Sequence, residues 1–138
     1  MVGVFYYSME AQIEVETGKI SKTKLVEMAT EFNTCNGFSF WYMEQEDTNA
    51  VVRDATVLGP SGEQHCYVYD KDRDITIDVC FGQFDEGPDI GAWDGDEHPY
   101  IGEWDYLKQW EGHHEWDSRD EFEAHYSQMP EAHNPFYL

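Results

Sequence analysis

Cys35, His65 and Asp78 have the residue types and chain order of a thiol nucleophile with its two helpers. A thiolate attacks a carbonyl carbon, an imidazole shuttles the proton, and a carboxylate orients the imidazole and stabilises its charged form. Cys35 stands just before the apolar run 37–43, which reads as a helix buried almost all round. A strand is the alternative there, because aromatic residues have poor helix propensity. A helix N-terminus lowers a thiol pKa, and a neighbouring imidazolium lowers it further. The oxyanion of such a reaction would rest on the Cys35 backbone N–H, with Asn33, Asn36 and Gln83 as candidate supporting groups.

The elements around these residues follow from pattern. Ser21 caps a helix over 22–33, with Leu25, Met28, Ala29 and Phe32 on one face. Strands are expected at 2–7, 50–58, 65–69 and 74–80, with a turn at 59–62. An irregular loop is expected over 85–96 and short helices near 102–110 and 119–127, the second with a Ser118-x-x-Glu121 capping box. The end, 133–138, reads as extended.

The hairpin formed by 65–69 and 74–80 carries the chemistry. With a two- or four-residue loop between Tyr69 and Asp74, Val68 faces Ile75, Cys66 faces Ile77, Tyr67 faces Thr76 and His65 faces Asp78. Side chains alternate between faces, so Cys66 falls on the apolar face and His65, Asp78 and Cys80 on the other. That parity opposes a Cys66–Cys80 disulfide. An odd count of three cysteines without a visible secretory signal is expected to mean reduced thiols.

The stretch His65-Cys66-Tyr67-Val68-Tyr69, then Asp78-Val79-Cys80-Phe81-Gly82-Gln83-Phe84, resembles the H-x-W…D-L-T-x-x-Q-F pattern of small papain-like proteins of the YunG type. These are akin to the transglutaminase-like and NlpC/p60 superfamily. Tyr67 stands where the pattern has Trp, and Cys80 where it has Thr. The resemblance covers residues 25–84. It implies an α+β fold in which helices, one opening with the Cys, pack on a small antiparallel sheet of about three to five strands. It also implies a catalytic triad of Cys35, His65 and Asp78, with no cofactor.

Charge bounds the function from outside. The chain of 138 residues carries a formal charge of −21. Residues 1–69 hold a net −6 and residues 70–138 a net −15. Such a surface opposes direct nucleic-acid binding and docking on anionic membrane. No apolar run approaches the roughly 20 residues of a membrane span. Low Lys beside high Asp is the composition of a salt-in halophile or its virus, where molar salt screens self-repulsion. The expected location is then cytoplasmic or in a virion. The division is one domain, 1–138, with a core over 1–84 and an acidic, aromatic-rich C-terminal extension over 85–138. Four of the five Trp lie in that extension, which could dock a protein partner.

Metal signals are weak. Asp70-x-Asp72-x-Asp74 starts like a calcium loop but lacks the later Gly and Glu, so a solvated turn is expected. His98, His113 and His114 match no zinc spacing and read as surface residues. Three functions follow. One is a cysteine hydrolase or acyl transferase that acts on a peptide or protein amide, or an ester, through a Cys35 thioester. Another is a non-catalytic structural or interaction protein on the same fold. The third is an acidic DNA-mimic inhibitor.

Overall fold

The computed structural model describes residues 12–32, 34–58, 64–81, 88–101 and 109–127. Within them the chain runs β1 (Ile13–Glu16), α1 (Lys22–Glu31), α2 (Cys35–Met43), β2 (Ala50–Leu58), β3 (Gln64–Asp70), β4 (Ile75–Asp78), β5 (Ile90–Asp94), β6 (Gln109–Trp116) and α3 (Arg119–Tyr126). The expected strand at 2–7, the turn at 59–62 and the extended end at 133–138 lie outside the described residues, as do Asn33, Gln83 and 102–108.

The fold is α+β. Its sheet has six strands in the order β1-β5-β4-β3-β2-β6. It is larger than expected and mixed, since β1 runs parallel to β5 while the other pairs are antiparallel. The acidic C-terminal part supplies β5 inside the sheet and β6 at its edge. Ile90–Asp94 is therefore a strand where a loop was expected, and 109–110 begin a strand where a helix was expected. Gly and Asp around β5 imitate a loop, yet Gly91 has a packing reason to be in a strand. A Cβ there would collide with the Trp93 ring.

Strand alternation divides the interior in two. Val68 and Cys66 point from β3 toward the helices, and Tyr67 points to the opposite face. The main core joins Leu25 and Met28 of α1, Phe38 and Tyr42 of α2, and Val68, Ile75, Ile77 and Ala92 of the sheet. A second core on the helix side joins Phe40 of α2, Val52, Cys66, and Phe122 and Tyr126 of α3. α2 thus buries Phe38 and Tyr42 in one core and Phe40 in the other. Each such ring contributes roughly 1.5–3 kcal/mol, which outweighs the poor helix propensity of the run. Its N-cap is Thr34, whose Oγ1 accepts from Gly37 N–H at 3.2 Å. Ser21 and Ser118 cap α1 and α3 in the same way, as expected.

The β3–β4 hairpin closes through Lys71–Asp74, and Asp74 takes a positive φ of 54°. Pairing is Asp70↔Ile75, Tyr69↔Thr76 and Val68↔Ile77. The register is therefore two residues from the one expected, so His65 and Asp78 are not directly opposite. The cause is Asp70, which belongs to the strand and not to a solvated turn. It is buried, accepts from Tyr42 O–H at 2.6 Å, and bonds Arg73 at 2.8 Å. This ties the hairpin end to α2.

Candidate active site

A slip of two residues keeps the paired side chains on their faces. His65 and Asp78 remain on one face, now as diagonal neighbours. Their side chains bridge the diagonal: His65 Nε2 lies 2.6 Å from Asp78 Oδ2, with both residues at most 1% exposed. A hydrogen bond to a buried charge of this kind is worth about 1.5–3 kcal/mol.

Asp78 is better served than the sequence suggested. Its Oδ2 also accepts from His98 Nε2 at 2.9 Å, and its Oδ1 accepts from Cys80 N–H at 3.0 Å. Burial opposes its charge, but His65 and then His98 outweigh it and hold the carboxyl far below the usual range. His98 is thus a buried member of the site and not a surface residue. Its Nδ1 accepts from Tyr100 N–H at 3.2 Å, which places its proton on Nε2, toward Asp78. Phe81, Trp93 and Tyr67 ring it at 4.7–4.9 Å between centroids. Burial among those rings lowers its pKa in spite of Asp78 and keeps it neutral. A lone His in the polar stretch 94–98 gives no pattern that would have revealed this.

Cys35 is the first residue of α2 and half-buried. The β3–β4 ladder stops at Val68↔Ile77, which leaves the sheet open beside residues 65 and 66. Cys35 packs against the cluster of Phe40, Val52, Cys66, Phe122 and Tyr126. The groups that act on its thiol are the Cys66 side chain, His65 and the Cys66 backbone N–H. These contacts, Cys66 first, then the bond and charge of His65, take its pKa well below 9.0 against the effect of burial. Burial opposes the charge on His65. The charge and hydrogen bond of Asp78, followed by Cys35, override it and raise the imidazole to about 10. With Nε2 on Asp78, Nδ1 is the nitrogen left for Cys35. Both shifts favour a thiolate beside an imidazolium, with Asp78 ionised behind the imidazole.

The structure joins His65 to Asp78 and sets Cys35 at the start of α2, with His65 acting on its thiol. Asn36 is adjacent to Cys35, with its Oδ1 accepting from Gly37 N–H at 3.1 Å. A pocket of about 150 Å³ beside the start of α2 is lined by Thr34, Asn36, Gly37, Phe40, Arg119 and Phe122. On the opposite face, a cleft of about 840 Å³ has the buried Tyr67, Trp93 and His98 in its lining, between Arg53 and an acidic rim. No family model, curated protein or solved structure matches the chain. Among the described residues, no set of three or more His, Cys, Asp or Glu is placed to hold a metal ion, and no helix is long and apolar enough to cross a membrane.

Proposed function

We propose that the protein is a papain- or transglutaminase-like cysteine hydrolase or acyl transferase that works through a Cys35 thioester. The observation that carries this is the buried His65–Asp78 pair at 2.6 Å, beside the helix that opens with Cys35, whose thiol His65 helps to bring below its ordinary pKa. The Cys35 thiolate attacks an amide or ester carbonyl, and the oxyanion meets the Cys35 backbone N–H and the Asn36 amide. His65 passes its Nδ1 proton to the leaving nitrogen or oxygen as the carbonyl bond to it breaks, which leaves the thioester. Water or an amine then attacks the thioester, His65 takes its proton, and Cys35 leaves as thiolate. Asp78 keeps its charge throughout.

The test is acylation by an activated ester under reducing conditions, read by mass on tryptic peptides. Cys35, Cys66 and Cys80 fall in separate peptides, 25–53, 54–71 and 74–108. A hydroxylamine-sensitive acyl group on 25–53, lost in Cys35→Ala and strongly slowed in His65→Ala, is the expected result. Acylation no faster at Cys35 than at Cys80 would refute the proposal.

A further inference from the structure

His98 takes no part in the transfer steps, yet it touches the group that holds His65. Among the described residues, three donors meet the Asp78 carboxylate. His65 Nε2 at 2.6 Å and His98 Nε2 at 2.9 Å share Oδ2, and Cys80 N–H reaches Oδ1 at 3.0 Å. Asp78 is the last residue of β4, and the ladder to β3 has already ended at Val68↔Ile77. The carboxylate is therefore aimed at His65 by its own hydrogen bonds and not by strand pairing. His98 is held in turn. Its Nδ1 accepts from Tyr100 N–H at 3.2 Å, so its proton sits on Nε2. The rings of Tyr67, Phe81 and Trp93 pack at 4.7–4.9 Å between centroids. Two of these supports share an anchor on β1, where Glu14 accepts from the Trp93 indole N–H at 2.7 Å and from Tyr100 O–H at 2.9 Å. A line of contacts thus runs from Glu14 through Trp93 and Tyr100 to His98, and on through Asp78 to His65.

We propose that His98 is a positioning residue for the Cys35 reaction, a neutral donor that aims the Asp78 carboxylate at His65. This rests on the proposed function, in which Asp78 orients His65. The last torsion of an aspartate is broad, so a carboxylate with one partner turns easily. Two donors on one oxygen and a third on the other fix its plane. The donor must also be neutral. A lysine or arginine there would share the Asp78 charge and weaken its support for the His65 imidazolium. His98 cannot compete in this way, because Tyr100 N–H occupies its Nδ1 and leaves it uncharged. During transfer the Nδ1 proton of His65 leaves and returns while its Nε2–H stays on Asp78, so His98 has the same task in every step. It follows β5, so the acidic C-terminal part supplies a working piece of the centre and not only a surface.

The experiment separates the two nitrogens of the ring. Glutamine carries an amide N–H to the place of Nε2, asparagine carries an acceptor to the place of Nδ1, and phenylalanine keeps a ring with neither. The full chain and its variants are acylated at Cys35 over a range of activated-ester concentrations, and their histidine ring nitrogens are read by NMR on isotope-labelled protein. In the parent, His98 should be the Nε2–H tautomer, and the His65 Nε2 proton should exchange slowly with water. His98→Phe and His98→Asn should lower the maximal acylation rate about 10- to 100-fold at unchanged half-saturation, and should speed the exchange of the His65 proton. His98→Gln should bring both back toward the parent. A loss in His98→Gln equal to that in His98→Phe marks a structural role only and overturns the proposal, as does a His98→Phe chain within about twofold of the parent. A parent His98 with its proton on Nδ1 overturns it with no variant needed. If the parent shows the expected tautomer and a held His65 proton but the ester never acylates Cys35, acyl transfer fails while the support of Asp78 by His98 stands.

Discussion

The charge state of Cys35 sets a pH dependence that can be worked out in advance. A thiol that titrates at the ordinary 9.0 is ionised to roughly 0.1% at pH 6 and about 9% at pH 8, so its alkylation rate rises about 100-fold over that span. In this protein the Cys66 hydrogen bond and the His65 imidazolium bring the thiol well below 9.0. Cys35 should therefore be more ionised than an ordinary thiol at pH 6, and its rate should rise clearly less than about 100-fold up to pH 8. Absolute rate is a poorer readout, because nucleophilicity falls as pKa falls and offsets much of the gain in thiolate. Each factor of ten by which the rise falls short corresponds to about 1.4 kcal/mol of preference for the thiolate.

The assay is iodoacetamide labelling of peptide 25–53 at fixed salt from pH 5.5 to 10.5, on the parent, His65→Ala and Cys66→Ala chains. His65 titrates at about 10, so the parent should show a second inflection there. His65→Ala should remove that inflection and steepen the profile below it. Cys66→Ala should steepen the lower part and keep the inflection. A parent chain whose rate climbs about 100-fold from pH 6 to pH 8 would refute the ion pair.

Three further outcomes are expected. Truncating His98→Ala removes one of the hydrogen bonds on Asp78 and should lower unfolding free energy by about 1.5–3 kcal/mol in urea titrations. His98 is neutral in the fold and has a lowered pKa, so the unfolded chain takes up its proton first as pH falls below 6.5. The parent should therefore lose stability on acidification from pH 6.5 to pH 5 more steeply than His98→Ala; equal slopes would contradict the assigned tautomer. Raising KCl from 0.1 M to 2 M should raise the Tm, because the Debye length contracts from about 10 Å to under 3 Å around a chain of charge −21; a falling Tm would count against salt adaptation. Ser118→Ala should cost about 1 kcal/mol by chemical denaturation, through loss of the 3.2 Å bond from Glu121 N–H.

Helices and their caps were the most legible part of the sequence, because each is a local pattern. Ser21 and Ser118 accept from the third residue on, and the apolar spacing of Leu25, Met28 and Ala29 is the buried face of α1. β5 was not legible, since its reasons are distant: Gly91 is required by the Trp93 ring, and the Trp93 indole is tied to Glu14, at 2.7 Å, on a parallel strand from the far end of the chain. The same distance hid His98. Its bond to Asp78 is made across the sheet by a residue that follows β5, and no spacing rule links the two.

The hairpin shows why a chemical arrangement can be read where its geometry is not. The expected register failed because Asp70 prefers burial on Tyr42 and Arg73 to a place in the turn. That preference moved the ladder by two residues, an even number, so the paired side chains kept their faces; Cys80, past the end of β4, packs against the main core and not on the His65 face expected for it. An odd slip would have put Asp78 among the helices and left His65 without a carboxylate. Diagonal neighbours lie about 7–8 Å apart at Cα, a span that a histidine and an aspartate cover together. The ladder itself ends at Val68↔Ile77, so beyond it His65 and Asp78 are joined by their side-chain bond of 2.6 Å.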